Sequence, residues 1–375
     1  MKIIDFFRKS VLIIGFIAPV ALANNQPIIK VAILDNLMSQ KLASEQYLRD
    51  YMDGIKIAKI ASHQLGFNLK YKTFFYDRNP LSILNKIKKI TQYKPDFIIG
   101  PRSSNQFIVL NGWFSNILVL SPLASSSEAM PKNFYSLASP DSLSSKMITQ
   151  FIHDRYPNNG IYLISEVDCR SCLETSNQVL EQFKNQNPGS SPIQKKIISD
   201  QVEEISIPEL MSGYKKNDII IIPGTSYASG ILISRIINYL KNANPIFIGT
   251  DGWGEWSVGY VGKLRSHFPY RAYRITPQFI NKQSVRYQRF EQYYKEAFHR
   301  NLPKDTISYI AYSSVMSVIA ALPSAQLSEE AITPQYILSN YYKALEQNNH
   351  WFRPESYEVY LIDLQGERKL TNITT

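Results

Sequence analysis

Two cysteines are the first residues whose type and spacing suggest chemistry. Cys169 and Cys172 are the only cysteines of the chain and form a C-x-x-C pair. Such a pair can close a local disulfide, act as a redox dithiol, or supply half of a zinc site. Zinc is not favoured, because neither a second cysteine pair nor a close histidine pair accompanies it. The sequence predicts a local disulfide and no bound metal, with a thiol–disulfide oxidoreductase as the alternative.

The common hydrolytic motifs are missing from the sequence. The chain has 5 histidines, and it contains neither an H-E-x-x-H nor a G-x-S-x-G motif. A hydrolase is therefore not favoured. We expect a protein that is not an enzyme and requires no cofactor.

Two serines follow a predicted strand at the position where that strand ends. Ser103 and Ser104 come after a strand over 96–99 and before a helix expected from about Asn105. Unpaired N–H groups at a helix start, together with a hydroxyl, can bind a carboxylate, each charge-assisted bond contributing about 1.5–3 kcal/mol. A serine at this position can equally serve only as the helix cap.

Two further polar segments also follow predicted strands. Residues 124–127 come after a strand over 117–120, and Asp251 comes after a strand over 245–248 in the sequence Gly-Thr-Asp-Gly-Trp. Open α/β sheets bind ligands at the carboxyl ends of their strands, so both segments are candidate binding loops. Serine and aspartate also form ordinary turns, which is the alternative for each.

The elements that must position these residues alternate along the chain. Short β-branched runs alternate with longer segments of helical period, which indicates mostly parallel sheets covered by helices. The pattern restarts after Pro140 and so predicts two lobes. The predicted strands are 28–34, 69–76, 96–99, 117–120, 161–165, 193–198, 218–222, 245–248 and 357–362. The predicted helices are 48–60, 144–156, 173–183, 228–240, 284–299, 305–322 and 334–345. The helices from 284 onward have no sheet of their own, so we expect them to pack on the first lobe.

The first residues predict export. Basic residues precede an apolar run over 11–20, and Ala21-Leu22-Ala23 has the small-x-small pattern of a cleavage site. The run of about ten residues is too short to span a bilayer as a helix. We therefore expect a signal peptide over 1–23, cleavage after Ala23, and a periplasmic mature protein in which a disulfide is stable.

The basic charge does not indicate a nucleic-acid partner. The formal net charge is +10, but the lysines and arginines are scattered, without a long basic run or an RNA-binding signature. A solvated basic surface explains this charge.

A set of short segments extends over almost the whole mature chain. They are Asp53-Gly54, Ile98-Ile99-Gly100-Pro101 followed by Ser103-Ser104, Ser121-Pro122-Leu123-Ala124-Ser125, Asn133-Phe134-Tyr135, Ser139-Pro140-Asp141, Gly249-Thr250-Asp251-Gly252-Trp253 and Ala311-Tyr312-Ser313-Ser314. In order and spacing they resemble the type I periplasmic solute-binding proteins of ABC importers, the family of the leucine/isoleucine/valine-binding protein.

The resemblance implies an α/β fold with two Rossmann-like lobes, three hinge crossovers and a ligand cleft between the lobes. By analogy, lobe one comprises 26–141 and 276–322, and lobe two comprises 142–275 and 323–375. The implied function is capture of an amino-acid-like or related small polar solute by a monomer that delivers it to an ABC permease in the inner membrane. A ligand sensor or an envelope scaffold with the same fold is the alternative.

Binding roles are also implied by the resemblance. The implied first-lobe contacts to the ligand head group are Ser103, Ser104, Ala124, Ser125 and Ser126. Asp251 is implied to face the ligand ammonium from the opposite lobe, so that both charges of a zwitterion are paired on closure. Tyr227 and Trp253 are implied aromatic walls, with packing inside the lobe as the alternative.

One segment departs from the family pattern. Relatives commonly carry a Tyr-Gly pair where this chain has Cys169-Arg170-Ser171-Cys172. Arg170 or Ser171 would take the place of a ligand-contacting tyrosine, and an arginine there would favour an acidic solute. The alternative is that Arg170 points to solvent.

Overall fold

The described part of the protein consists of two sheet-based lobes. The structure is a computed structural model that describes residues 26–36, 43–77, 80–126, 132–253, 270–277, 280–303, 307–323, 332–347, 356–363 and 366–374. The expected signal peptide, 1–23, lies outside these residues. None of the helices described is both long and apolar enough to cross a bilayer.

Five parallel strands form the sheet of the first lobe. In pairing order they are β2 (Asn68–Tyr76), β1 (Ile28–Asn36), β3 (Phe97–Ile99), β4 (Leu118–Ser121) and β5 (Phe134–Ser136). The connecting helices are α1 (Ala43–Gln64), α2 (Leu84–Tyr93) and α3 (Ser104–Val109), with a 3₁₀ turn at Pro80–Ile83. The central strands β3 and β4 are buried on both faces, which explains their uninterrupted apolar sequences.

Seven strands form the sheet of the second lobe. In pairing order they are β12 (Gly366–Thr374), β11 (Ser356–Asp363), β10 (Arg271–Pro277), β9 (Ile246–Gly249), β8 (Ile219–Ile222), β6 (Ile161–Glu166) and β7 (Ile193–Ile197). The helices of this part are α4 (Asp141–Arg155), α5 (Arg170–Gln186), α6 (Ile207–Leu210) and α7 (Ser226–Leu240), with 3₁₀ turns at Ser199–Gln201 and Lys241–Ala243. Strand β11 is antiparallel to both of its neighbours, whereas β6 to β10 pair in parallel.

The last three helices pack on the first lobe, as predicted. They are α8 (Val285–Phe298), α9 (Ile307–Ile319) and α10 (Pro334–Glu346). Ile337 and Tyr341 of α10 belong to the same buried cluster as the apolar residues of β1 and β3. The Tyr341 ring also contacts Tyr135 of β5, with 5.5 Å between ring centroids. The analogy that placed all of 323–375 in lobe two is therefore wrong for α10, because its apolar face completes the first core.

The chain passes between the lobes three times. It crosses after β5, after β10, and after α10 on the way to β11. The predicted α/β fold of two lobes with three crossovers is therefore confirmed. The third crossing follows α10 and does not occur near Leu322, where the analogy put it.

Gly54 marks a close approach between two helices of the first lobe. A Cβ built on Gly54 of α1 would lie 2.0 Å from the carbonyl oxygen of Ser308 in α9. Only glycine permits this separation, which explains the glycine of the Asp53-Gly54 segment. The adjacent Asp53 binds Lys56, with 2.9 Å between Oδ1 and Nζ, and also binds Arg300.

Candidate functional site

The Ser103-Ser104 turn lies at the carboxyl end of β3. The preceding Gly100 has φ +93°, and a Cβ there would lie 2.2 Å from the carbonyl oxygen of Leu34, so the turn requires glycine. Next to it, the buried Arg102 side chain binds Asp35 at the end of β1, with 2.6 Å between Nη2 and Oδ1. This ion pair, which the sequence analysis did not identify, fixes the turn to the neighbouring strand.

The two serines of this turn have different roles. Ser103 is exposed, and its hydroxyl donates to Oε1 of Gln106 at 2.7 Å rather than capping the helix. Ser104 is buried, and its Oγ accepts the N–H groups of Ser125 at 3.1 Å and Ser126 at 3.2 Å. The structure therefore brings the two predicted serine loops together, with Ser104 as the link. The helix α3 that follows has 6 residues, so its start is a weak anion site.

Ala124 supports the second loop from inside the lobe. It is buried, its N–H donates to Ser121 Oγ at 2.9 Å, and its carbonyl accepts from the Ser136 hydroxyl. Both backbone groups of Ala124 already have protein partners. Ala124 therefore supports the loop of Ser125 and Ser126, and its role as a ligand contact stays a prediction.

Asp141 lies at the first crossover and belongs to the candidate site. In the sequence it stood out only as the last residue of the Ser139-Pro140-Asp141 segment. Its N–H donates to the Ser125 carbonyl at 2.9 Å, and its carboxyl group interacts with the hydroxyls of Ser125 and Thr175. Burial raises the pKa of Asp141 to about 8; the two hydroxyls oppose this shift, and the negative charges of Glu174 and Asp251 add to it. An aspartate directly after a proline at a helix start was the available signal, but its burial is a tertiary property.

Asp251 lies in the turn after β9, on the second-lobe side of the cleft. Solvent reaches its side chain, yet surrounding protein desolvates the carboxyl group and raises its pKa, with Arg274 opposing the shift. Its charge acts on Asp141, which in turn binds Ser125. Asp251 is therefore within electrostatic range of Asp141, which binds the Ser125 loop, and a common ligand site for Ser104, Ser125, Ser126 and Asp251 stays a prediction.

Trp253 does not form an aromatic wall of the cleft. It is 0% exposed, within the core of the second lobe. Its indole N–H donates to the Ile222 carbonyl at 2.9 Å, and its ring occupies the space in which Gly249 would carry a Cβ. The alternative of internal packing is correct, because the ring fastens the β9 turn to the end of β8.

Tyr227 and Glu166 lie at the carboxyl ends of neighbouring strands of the second lobe. Tyr227 is 42% exposed and donates its hydroxyl hydrogen to Glu203 of the same lobe at 2.7 Å. Glu166, at the end of β6, is buried and accepts the Thr225 N–H at 2.7 Å, while burial raises its pKa. Glu166 orders the turn that leads to Tyr227, and the role of Tyr227 as a ligand contact stays a prediction.

The predicted disulfide is confirmed and lies at a contact between the lobes. Cys169 and Cys172 are bonded, with 5.2 Å between their Cα atoms, and Cys169 is the N-cap residue of α5. The Asn105 amide of the first lobe donates to the Asp168 carbonyl at 2.8 Å and accepts the Arg170 N–H at 3.0 Å. These two bonds lie on either side of Cys169, so the disulfide-bonded turn is one point of contact between the second lobe and the first.

A groove adjoins this contact. It has a volume of about 720 Å³, and its lining residues are Asn105, Ile108, Val109, Val167, Asp168, Arg170, Leu173, Glu174, Asn177 and Gln178. Ser126 of the first lobe donates its hydroxyl hydrogen to Glu174, one of these lining residues, at 2.8 Å. Arg170 is exposed at the groove.

The architecture and the interlobe site define a type I periplasmic binding protein fold. The structure is similar to a leucine-binding protein from Thermotoga maritima, with a TM-score of 0.72, 13% identity, and coverage of 92% of this chain and 99% of that one. It is also similar to a branched-chain amino acid transporter substrate-binding protein from Streptococcus pneumoniae, solved with isoleucine, with a TM-score of 0.69, 15% identity, and coverage of 93% and 100%.

A third similar structure was solved with a ligand that is not an amino acid. An ABC transporter solute-binding protein from R. palustris, solved with benzoate, has a TM-score of 0.65 and 11% identity, with coverage of 92% of this chain and 96% of that one. No protein-family model and no curated protein sequence matches the chain. The predicted resemblance to the leucine/isoleucine/valine-binding proteins is thus confirmed at the level of the fold.

Proposed function

We propose that the protein is an extracytoplasmic solute-binding protein that captures an amino-acid-like or related small polar ligand by hinge closure and delivers it to an ABC permease. The observation that supports this proposal is that the serine loops, joined by Ser104, and Asp251 both act on Asp141 at the first crossover. Both groups lie at carboxyl ends of strands, where open α/β sheets bind ligands. The ligand is bound and released without chemical change.

Closure is the proposed binding step. The ligand first meets the exposed Ser103 and the loop of Ser125 and Ser126, and the second lobe then brings Asp251 over it. Desolvation raises the pKa of Asp251, so a ligand ammonium beside it is favoured because it restores the ionised carboxylate. Asn105 then holds the two lobes together through its bonds to the disulfide-bonded turn.

Support for a small solute comes from the similar structures and from the geometry. Two of the similar structures are a transporter substrate-binding protein solved with isoleucine and an ABC transporter solute-binding protein solved with benzoate. In this chain the cleft offers hydroxyl and carboxyl groups, which suit a polar solute better than an apolar one. Tyr227, exposed at the start of α7, is the proposed aromatic contact from the second lobe.

A thermal-shift panel tests the proposal as a whole. Amino acids, short peptides, amides, sugars and carboxylic acids are added separately to the mature protein. A ligand that binds only the folded state raises the melting temperature in proportion to the logarithm of its concentration. If no compound of these classes raises it at millimolar concentration, the proposed binding of a small polar solute is contradicted.

Asp251→Asn tests the site itself. Loss of the charge-assisted bond to the ligand ammonium should weaken binding by about 1.5–3 kcal/mol, measured by titration calorimetry with a ligand found in the panel. Asp200→Asn, a change at an exposed aspartate of the second lobe, is the matched control and should leave the affinity unchanged. Equal affinities of Asp251→Asn and the unmodified protein would remove Asp251 from the site.

A further inference from the structure

Carboxyl groups dominate the charged side chains described at the centre of the cleft. Asp141 and Asp251 lie within electrostatic range of each other, and Glu174 acts on Asp141 as well. Arg274 is the cation that acts on Asp251. The charge at the centre of the cleft, counted over these four residues, is therefore negative when the carboxyl groups are ionised.

The serine hydroxyls of the first lobe add to this character. Ser126 donates its hydrogen to Glu174 at 2.8 Å, and the Ser125 hydroxyl interacts with Asp141. The Ser104 oxygen accepts two backbone N–H groups that could otherwise bind a ligand carboxylate. A hydroxyl that donates to a carboxyl group turns its lone pairs toward the remaining space. Ser125 and Ser126 consequently present hydrogen-bond acceptors, which favour a ligand rich in donors.

Asp141 supplies an independent observation. Its side chain is 4% exposed, and its Oδ2 atom has no hydrogen-bond partner. Leaving a buried carboxyl oxygen without a donor is unfavourable, and native structures rarely do so without a functional reason. The described residues contain no group of three or more His, Cys, Asp or Glu side chains placed to hold a metal ion. An organic cation that displaces the proton of this carboxyl group is a donor that suits this oxygen.

We infer that the ligand is a small solute with two cationic amino groups, one bound at Asp251 and the other at Asp141 beside Glu174. This inference rests on the proposed function and specifies its ligand class. An amino acid with a basic side chain meets the requirement, because one of its amino groups can pair with Asp251 and the other with Asp141. An acidic solute, which an arginine at position 170 had suggested, would place a further negative charge among these carboxylates.

A matched pair of ligands tests the inference. L-lysine and L-norleucine have side chains of similar length and differ by the terminal ammonium, so their affinities for the mature protein isolate its effect. Titration calorimetry should show L-lysine binding at least about tenfold tighter than L-norleucine, the size expected for one charge-assisted bond. Cadaverine, which has both amino groups and no carboxylate, should also bind.

Two variants identify the residue responsible. Asp141→Asn keeps the shape of the side chain and removes its ability to ionise beside an ammonium, so the lysine preference should fall to about threefold or less. Asp154→Asn, at an exposed aspartate of the same helix α4, is the control and should keep the full preference. Thermal unfolding of each variant verifies that it is folded before the titration.

The outcomes separate this inference from the proposed function. L-norleucine binding as tightly as L-lysine overturns the inference and leaves the amino-acid-binding function standing. An undiminished lysine preference in Asp141→Asn overturns the assignment of Asp141. Failure of every compound in the wider thermal-shift panel overturns the proposed function, and the inference with it.

Discussion

Replacing Asp141 by asparagine should stabilise the ligand-free protein at neutral pH. The carboxyl group is buried beside two other carboxyl groups, and its pKa is raised from 3.8 to about 8. Because the pKa in the folded state is above the value in the unfolded chain, the folded protein keeps the Asp141 proton between about pH 4 and pH 8, whereas the unfolded chain loses it. The stability that this group contributes is complete below about pH 4 and is lost as the pH rises toward 8.

The magnitude follows from the same interval. Stability changes by about 1.4 kcal/mol for each pH unit over which the folded state holds one more proton than the unfolded state. Between the unfolded-state pKa of 3.8 and pH 7, this amounts to a loss on the order of 4 kcal/mol. Asparagine does not ionise in either state, so the variant should escape this loss.

Urea unfolding at about pH 4.5 and about pH 7 measures the effect. The stability of Asp141→Asn relative to the unmodified protein should increase by roughly 3 kcal/mol between the two pH values. Asp154→Asn, exposed on the same helix, should give a constant difference. If the relative stability of Asp141→Asn is the same at both pH values, the reasoning on the buried proton is refuted.

Three further perturbations address the contacts around the cleft. Asn105→Ala removes two interlobe hydrogen bonds, so ligand affinity measured by calorimetry should fall about five- to tenfold. The melting temperature should stay nearly constant. Unchanged affinity would show that Asn105 has no role in closure. Trp253→Phe removes the indole N–H that donates to the buried Ile222 carbonyl, and it should lower the free energy of unfolding in urea by about 1–3 kcal/mol. Weaker ligand binding with no loss of stability would instead indicate that Trp253 contacts the ligand. The Cys169–Cys172 bridge, if structural, should have a reduction potential below about −300 mV in a thiol titration, and a more oxidising value would favour the oxidoreductase alternative.

Periodicity predicted most of the elements of the fold, and two of the strands it missed, β10 and β12, have weak sequence signals for a physical reason. Central strands such as β3 and β8 are buried on both faces and read as continuous apolar runs. Strand β12 is an edge strand with a largely polar sequence, and β10 interrupts its apolar residues with Arg271 and Arg274. Such strands owe their structure to their neighbours in the sheet, so their own sequence is a weak signal.

The candidate site was partly predictable for a related reason. Local sequence placed Ser103, Ser125 and Asp251 after strand ends. Parallel pairing of β3 with β4 brings the two serine loops together, whereas Asp251 follows a strand of the second sheet. It could not show that Trp253 faces the core, because an aromatic residue suits a cleft wall and a core equally well. Nor could it show the burial of Asp141, whose carboxyl group interacts with Ser125 of the first lobe and Thr175 of the second.

The order of the strands has a consequence for how the protein acquires its structure. The first lobe needs α8 to α10, which follow most of the second lobe in the chain, and the second sheet needs β11 and β12, which follow those helices. Neither lobe can be excised as one continuous piece. Because both cores depend on contacts between distant segments, folding should be slow and the two lobes should mature together, late in the process. A chain shortened after Leu322 would lack part of both cores, and we expect it to be degraded rather than to persist as half of a binding protein.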